Sequence, residues 1–154
     1  MRGWLAPIAA ATLCLGAPLQ AQDDSSARIL HSVDEFLRGL NEKDLSVMEG
    51  VSAGDGIIAS HRVADGKDVL RTRSFTEGLA SLTSGTERFR EVYWEPTILV
   101  RGNIAVVWAE YSFDIEDGRS HCGIDVFNLM KIDDAWKVTG IQYTVEPETC
   151  PEGR

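Results

Sequence analysis

The stretch EPTILVRGNIAVVWAEYSFDIEDGRSHCGIDVFNLMKIDDAWKVTGIQYTVE, residues 95–146, carries three tight-turn signals at near-even spacing. Gly102-Asn103, Asp117-Gly118 and Asp133-Asp134 each lie between runs rich in Val, Ile, Trp, Tyr and Phe, residue types that suit a pleated, half-buried surface. The pattern predicts a four-strand antiparallel meander. Two-residue turns set which residues lie opposite one another, so the expected register and the two faces of the sheet can be written out.

With the second turn at Asp117-Gly118, Asp114 faces His121, Glu110 faces Asp125, Trp108 faces Phe127 and Val106 faces Leu129. With the third turn after Ile132, Leu129 faces Val138, Asp125 faces Gln142 and His121 faces Glu146. One face then grades from oily (Val106, Leu129, Val138, Trp108, Phe127) to acidic (Glu110, Asp125 and Gln142, then Asp114, His121 and Glu146). The opposite face carries Ala105, Val107, Ala109, Tyr111 and Phe113 beside Ile124, Val126, Ile141 and Tyr143, with almost no charge. Such a face needs cover, and homodimerisation through it is the expectation. The alternative is that sheet curvature and the tail after Glu146 cover it within one chain.

Upstream, Ile29, Val33, Phe36, Leu37 and Leu40 recur at helical spacing, with Arg28, Asp34, Glu35 and Arg38 on the other side. That helix ends near Asn41, and Asp44 can cap a shorter one through Leu45, Val47 and Met48. Ile57 to Val63 reads as a strand, Asp65-Gly66 as a hairpin turn and Lys67 to Thr72 as its return. Ser74 with Glu77 forms a capping box for a helix carrying Phe75, Leu79 and Leu82, and Glu87 to Trp94 is a further strand before the meander. Helices that cover one face of a long antiparallel sheet make an α+β domain.

The first residues stand apart from this domain. Arg2 gives a positive start, Trp4 to Ala17 is small and apolar, and Leu19-Gln20-Ala21 ends in a small residue. Residues 1–21 are read as a secretory signal peptide and 22–154 as a single domain. Periplasmic or extracellular localisation is expected. The apolar stretch falls short of the ~20 residues of a membrane span. Loss of Arg2 takes the formal charge from −9 to −10, and an acidic chain without basic clusters repels phosphate backbones and anionic lipid, so no nucleic-acid and no membrane partner is expected. Cys122 and Cys150 remain after cleavage. In an oxidising compartment they read as a disulfide worth roughly 3–4 kcal/mol, two free thiols being the alternative.

The order helix, helix, hairpin, helix and four strands resembles the nuclear transport factor 2-like superfamily, cone-shaped folds that include SnoaL-like polyketide cyclases and ketosteroid isomerase. The resemblance spans roughly Ala27 to Glu146. Its sharpest part is His121-Cys122-Gly123-Ile124-Asp125-Val126-Phe127, then Ala135-Trp136-Lys137-Val138, Tyr143-Thr144 and the late Cys150. It implies an exported bacterial member of unassigned function, in which the graded face is the concave wall of a small-molecule pocket. Pocket residues are then Trp108, Glu110, Asp125, Phe127, Gln142, Asp114 and His121.

Chemistry candidates lie in the acidic rows. Glu110 and Asp125, if enclosed together, cannot both stay ionised, and one raised proton affinity suits acid or base work. Solvent, or an arginine among Arg71, Arg73, Arg88 and Arg90, would make the same carboxylates structural. His121 between Asp114 and Glu146 would be biased towards its charged form. No metal-ligand spacing, nucleophile elbow or phosphate-cradling glycine loop is present, and no cofactor is implied. The leading expectation is a non-catalytic binder of a small molecule. The alternative is an acid–base enzyme of isomerase, cyclase or hydrolase type using Glu110, Asp125 and His121.

Overall fold

In the computed structural model the described residues are 19–148, 150 and 151, with side chains from Asp24 onward. The leader expected over 1–21 lies outside them, apart from its last three residues, which open the first helix. Three helices and six strands follow in the order α1 (Leu19–Glu42), α2 (Leu45–Val51), β1 (Ser52–Ala64), β2 (Lys67–Ser74), α3 (Phe75–Thr83), β3 (Phe89–Arg101), β4 (Ile104–Ile115), β5 (Gly118–Ile132) and β6 (Ala135–Val145). The strands form one open sheet ordered β2-β1-β6-β5-β4-β3. All neighbours are antiparallel except β1 and β6, which run parallel.

The helices form where their apolar spacing and caps place them. Asp44 Oδ1 accepts from the amides of Ser46 and Val47 at 3.0 and 3.3 Å and starts α2, and Ser74 Oγ accepts from the Glu77 amide at 3.3 Å and starts α3. The stripe Ile29, Val33, Phe36, Leu37 and Leu40 of α1 is buried against the inner face of the sheet, with Met48, Phe75 and Leu79 from the other helices. Gly78 on α3 lies so close to β1 that a Cβ there would meet Ile58 Cδ1 at 2.6 Å, which lets the helix sit low on the sheet.

Turns fall where the sequence places them, within a residue, but the register between them departs from the expected one at three irregularities. Glu95 takes a left-handed conformation (φ 50°) beside Pro96, and the ladder shifts between Trp94 and Thr97. The strand expected over 87–94 and the first meander strand are therefore one bent strand, β3. Between β4 and β5 the register slips at Ser120: Asp114 pairs with Arg119, yet Phe113 pairs with His121. Between β5 and β6 it slips at Thr139, since Leu129 pairs with Val138 but Asn128 with Gly140. An odd slip exchanges the faces of one strand relative to its neighbour.

The inner face of β4 is consequently Ala105, Val107, Ala109, Tyr111 and Phe113, all buried, and the expected pairings of Glu110 and Trp108 are corrected: Asp125 lies opposite Ala109, Phe127 opposite Val107, Glu110 opposite Ile124 and Trp108 opposite Val126. On β6, Tyr143 and not Gln142 lies opposite Asp125. The outer face carries Leu99, Ile104, Trp108 and Met130, each more than 40% exposed, with Val106, Ile124 and Val126 half-buried. At its other end the tail folds back, Glu146 pairing with Cys122 and a disulfide joining Cys122 to Cys150. No helix among the described residues is long and apolar enough to cross a membrane.

Candidate functional site

A cavity of about 120 Å³ lies between the helices and the inner face. Phe36 and Leu40 of α1 and Gly78 and Leu82 of α3 cover it. Ile58, Ile141 and Phe127 form an apolar wall, and Tyr111, Phe113, His121 and Tyr143 line the rest. Besides His121 and the tyrosines, its ionisable members are Asp125 on β5, Glu91 on β3 and Arg73 on β2.

Each of these is aimed inward by its strand partner. Directly paired residues share a face. Glu91 lies opposite Phe113, Asp125 opposite Ala109 and Tyr143, and Arg73 opposite Ile58, and all of these partners belong to the inner face. Glu91 is also clamped from α1: Asn41 Nδ2 donates to the Glu91 carbonyl at 2.9 Å, and the Glu91 amide donates to Asn41 Oδ1 at 2.6 Å. Both backbone groups of that residue are tied to the helix that roofs the cavity.

Asp125 is 3% exposed, and its Oδ2 has no hydrogen-bond partner among the described residues. Its carboxyl lies within hydrogen-bonding reach of the Glu91 carboxyl. Glu91 keeps part of its surface towards solvent through a second cleft beside Asp34 and Asn41, while its carboxyl end is packed inside. Burial pushes Glu91 up from an ordinary value of 4.5 to about 7. Burial, and then the charge and hydrogen bond of Glu91, hold Asp125 well above the usual carboxylate range. Two carboxylates in one enclosed space cannot both be ionised at low cost, so the pair shares a proton near neutral pH and titrates as a unit.

The surrounding groups are aromatic and largely uncharged. Tyr111 donates to the Thr144 carbonyl at 2.7 Å, and burial with the neighbouring Asp125 and Glu91 charges pushes its hydroxyl up. Gly123 makes this bond possible, because a Cβ at that position would sit 2.3 Å from the Thr144 oxygen. His121 packs against Tyr111 and Phe113 with ring centroids 5.7 and 5.2 Å away, and Ser120 Oγ lies 2.9 Å from its Nδ1. Burial lowers its proton affinity, so the imidazole is neutral at pH 7. The charged state expected for it depended on Asp114 and Glu146 lying across the strands. Asp114 instead pairs with Arg90 at 3.2 Å and Arg119 at 2.5 Å, and Glu146 lies opposite Cys122 and accepts from Thr144 Oγ1 at 2.6 Å.

Of the residues expected to line the pocket, the structure brings Asp125, Phe127 and His121 to the cavity. Trp108, Glu110 and Gln142 are exposed on the outer face, where Trp94 Nε1 donates to Glu110 Oε2 at 2.8 Å. The carboxyl that meets Asp125 is Glu91, which sequence reasoning missed. A signal was present: Glu91 is a lone charge at the inward period-two position between Phe89 and Tyr93. No group of three or more His, Cys, Asp or Glu side chains able to hold a metal ion occurs among the described residues.

No family model matches the chain, and no curated protein matches it in sequence. Solved structures do. An NTF2-like protein of unknown function from Shewanella baltica superposes with a TM-score of 0.62 at 18% identity, over 82% of this chain and 97% of its own. A function-unknown protein from Mycobacterium tuberculosis reaches 0.69 at 16% identity, over 87% and 82%. An NTF2-like protein with a cystatin-like fold from Novosphingobium aromaticivorans reaches 0.65 at 12% identity, over 86% and 88%. At these identities the likeness is one of fold.

Proposed function

We propose that this chain, which has the nuclear transport factor 2-like fold, is an exported binding protein for a small, ring-bearing molecule held in the cavity between α1, α3 and the inner sheet face. One observation carries the reading: an apolar, aromatic-lined cavity reaches a pair of carboxyls, Asp125 and Glu91, set among otherwise apolar and aromatic walls. A ligand that hydrogen-bonds to this pair offsets part of what burying the carboxyls costs. The cavity, at about 120 Å³, is slightly smaller than the apolar cavity of about 150 Å³ that holds benzene, so its occupant is no larger than a single ring within it. The bridge between Cys122 and Cys150 fits an oxidising compartment. Titration with phenol, followed by methyl resonances, tests the reading. Shifts confined to Leu40, Ile58, Leu82 and Ile141 are expected; shifts elsewhere, or none, contradict it.

A second reading, acid–base catalysis, rests on the Glu91–Asp125 pair. A proton shared near pH 7 in a closed site can be given or taken without the cost of full ionisation. Here Glu91 takes the place that sequence reasoning gave to Glu110. Loss of turnover in both Asp125→Asn and Glu91→Gln, with unchanged folding, is the outcome this reading requires of any substrate found.

The outer face adds a proposal of its own. Leu99, Ile104, Trp108 and Met130 with Val106, Ile124 and Val126 form an apolar band, and a second copy of the chain meeting it there makes a homodimer.

A further inference from the structure

β2 and β3 are the two opposite edges of the sheet, yet Arg73 on β2 and Glu91 on β3 line one cavity. The sheet therefore curls around a space with a guanidinium on one side and a carboxyl pair on the other. The two sides do not neutralise each other. Burial and their mutual interaction raise the proton affinities of Glu91 and Asp125, and Arg73 makes no ion pair with either. A guanidinium beside them would have held both low.

Arg73 is unusual in its own right. Arg28, Arg38, Arg88, Arg90 and Arg119 all make side-chain hydrogen bonds or ion pairs. Every arginine among the described residues is exposed except Arg73, and its side chain makes no hydrogen bond or ion pair there. Its guanidinium presents a planar fork of donors suited to a carboxylate. Apart from Glu91 and His121, the cavity that it shares with Asp125 is lined by apolar and aromatic residues, Phe127, Ile141 and Ile58 among them.

We infer that the ligand of this cavity is a single-ring organic monoanion, its carboxylate held by Arg73 and its far end carrying a hydroxyl that hydrogen-bonds to the Asp125–Glu91 carboxyl pair. The inference rests on the binding reading above and narrows it to a chemical class. The anion supplies the counter-charge that Arg73 lacks, the ring fills the aromatic middle, and the hydroxyl meets the carboxyl pair. A cationic ring meets the same pair but brings its charge into a space that already holds a guanidinium.

Calorimetric titration of the full chain at pH 7.5 with 4-hydroxybenzoate, benzoate, phenol and benzylamine tests it. 4-Hydroxybenzoate is expected to bind tightest, with phenol about tenfold weaker for want of the charge-assisted bond. Arg73→Gln is expected to bring 4-hydroxybenzoate down to the level of phenol and to leave phenol unchanged, while Arg73→Lys retains part of the preference. Asp125→Asn is expected to narrow the gap between 4-hydroxybenzoate and benzoate. Phenol or benzylamine binding as tightly as 4-hydroxybenzoate, or an anion preference that survives Arg73→Gln, overturns the inference and leaves the binding reading standing. Absence of binding by every ring overturns both.

Discussion

Placing Asp125 and Glu91 together inside the sheet costs the fold free energy whenever the pair loses its proton. For Glu91 the folded value, about 7, lies above the ordinary 4.5, and Asp125 moves in the same direction. The folded chain therefore binds more protons than the unfolded one between those values. The pair's contribution to stability is fully present below about 4.5 and is lost as pH rises through about 7. Half-buried His121 works the other way, its lowered affinity penalising the fold as pH falls through 6.5. Comparison with Asp125→Asn separates the two, because the histidine is common to both proteins. Urea denaturation is expected to show wild type gaining on the variant by roughly 1–3 kcal/mol between pH 8 and pH 5. A pH-independent difference contradicts a shared proton. Asp125 was legible in the sequence as an inward carboxylate of its strand, but with Glu110 as its partner where the structure places Glu91. Arg73 was legible only as one of several possible partners for a carboxylate, because which edge strand closes the cavity depends on how far the whole sheet curls.

At the scale of elements, the bulges at Ser120 and Thr139 decide what the cavity contains. Without the first, Glu110 would share the inner face with Asp125; with it, Glu110 faces outward and Tyr111 inward. The turns themselves were readable from residues 102–103, 117–118 and 133–134, because tight turns select Gly, Asn and Asp, although at the second the turn falls on 116–117 and the left-handed residue is Glu116 (φ 55°). A single extra residue in a ladder has no such chemistry: neither Ser120 nor Thr139 has a positive φ, and either fits a regular strand. Helix positions were readable because their spacing and caps are local: α1 ends one residue past Asn41 and α2 and α3 start at the expected caps, although α1 begins at Leu19, inside the expected leader. The β5–β6 seam supplies a test. Gly123 lies against the Thr144 carbonyl that accepts from Tyr111, and a methyl group there would press on backbone, which cannot swing aside as a side-chain tip can. Gly123→Ala is expected to cost about 2 kcal/mol or more in chemical denaturation and to break the Tyr111 hydrogen bond. A loss below about 0.5 kcal/mol contradicts the close approach.

Across the whole molecule the two sheet faces do different work. The inner one is closed by helices; the outer one is closed at one end by the tail tied through Cys122 and Cys150 and is open at the other, around Trp108 and Leu99. An apolar outer face was foreseen, but the side chains expected on β4 were those that pack inside, the same one-residue slip having exchanged them. Light scattering is expected to give a dimer for wild type and a monomer for Trp108→Lys with unchanged circular dichroism. A wild-type monomer at high micromolar concentration contradicts the twofold pairing. Binding, catalysis and ligand class all depend on one claim, that Asp125 and Glu91 form an enclosed pair holding a proton near neutral pH. Carbon-13 NMR of their side-chain carboxyls from pH 3 to pH 9 measures it directly. The two signals are expected to move together, with a transition near pH 7; two independent transitions near pH 4, as for carboxylates in water, would contradict it.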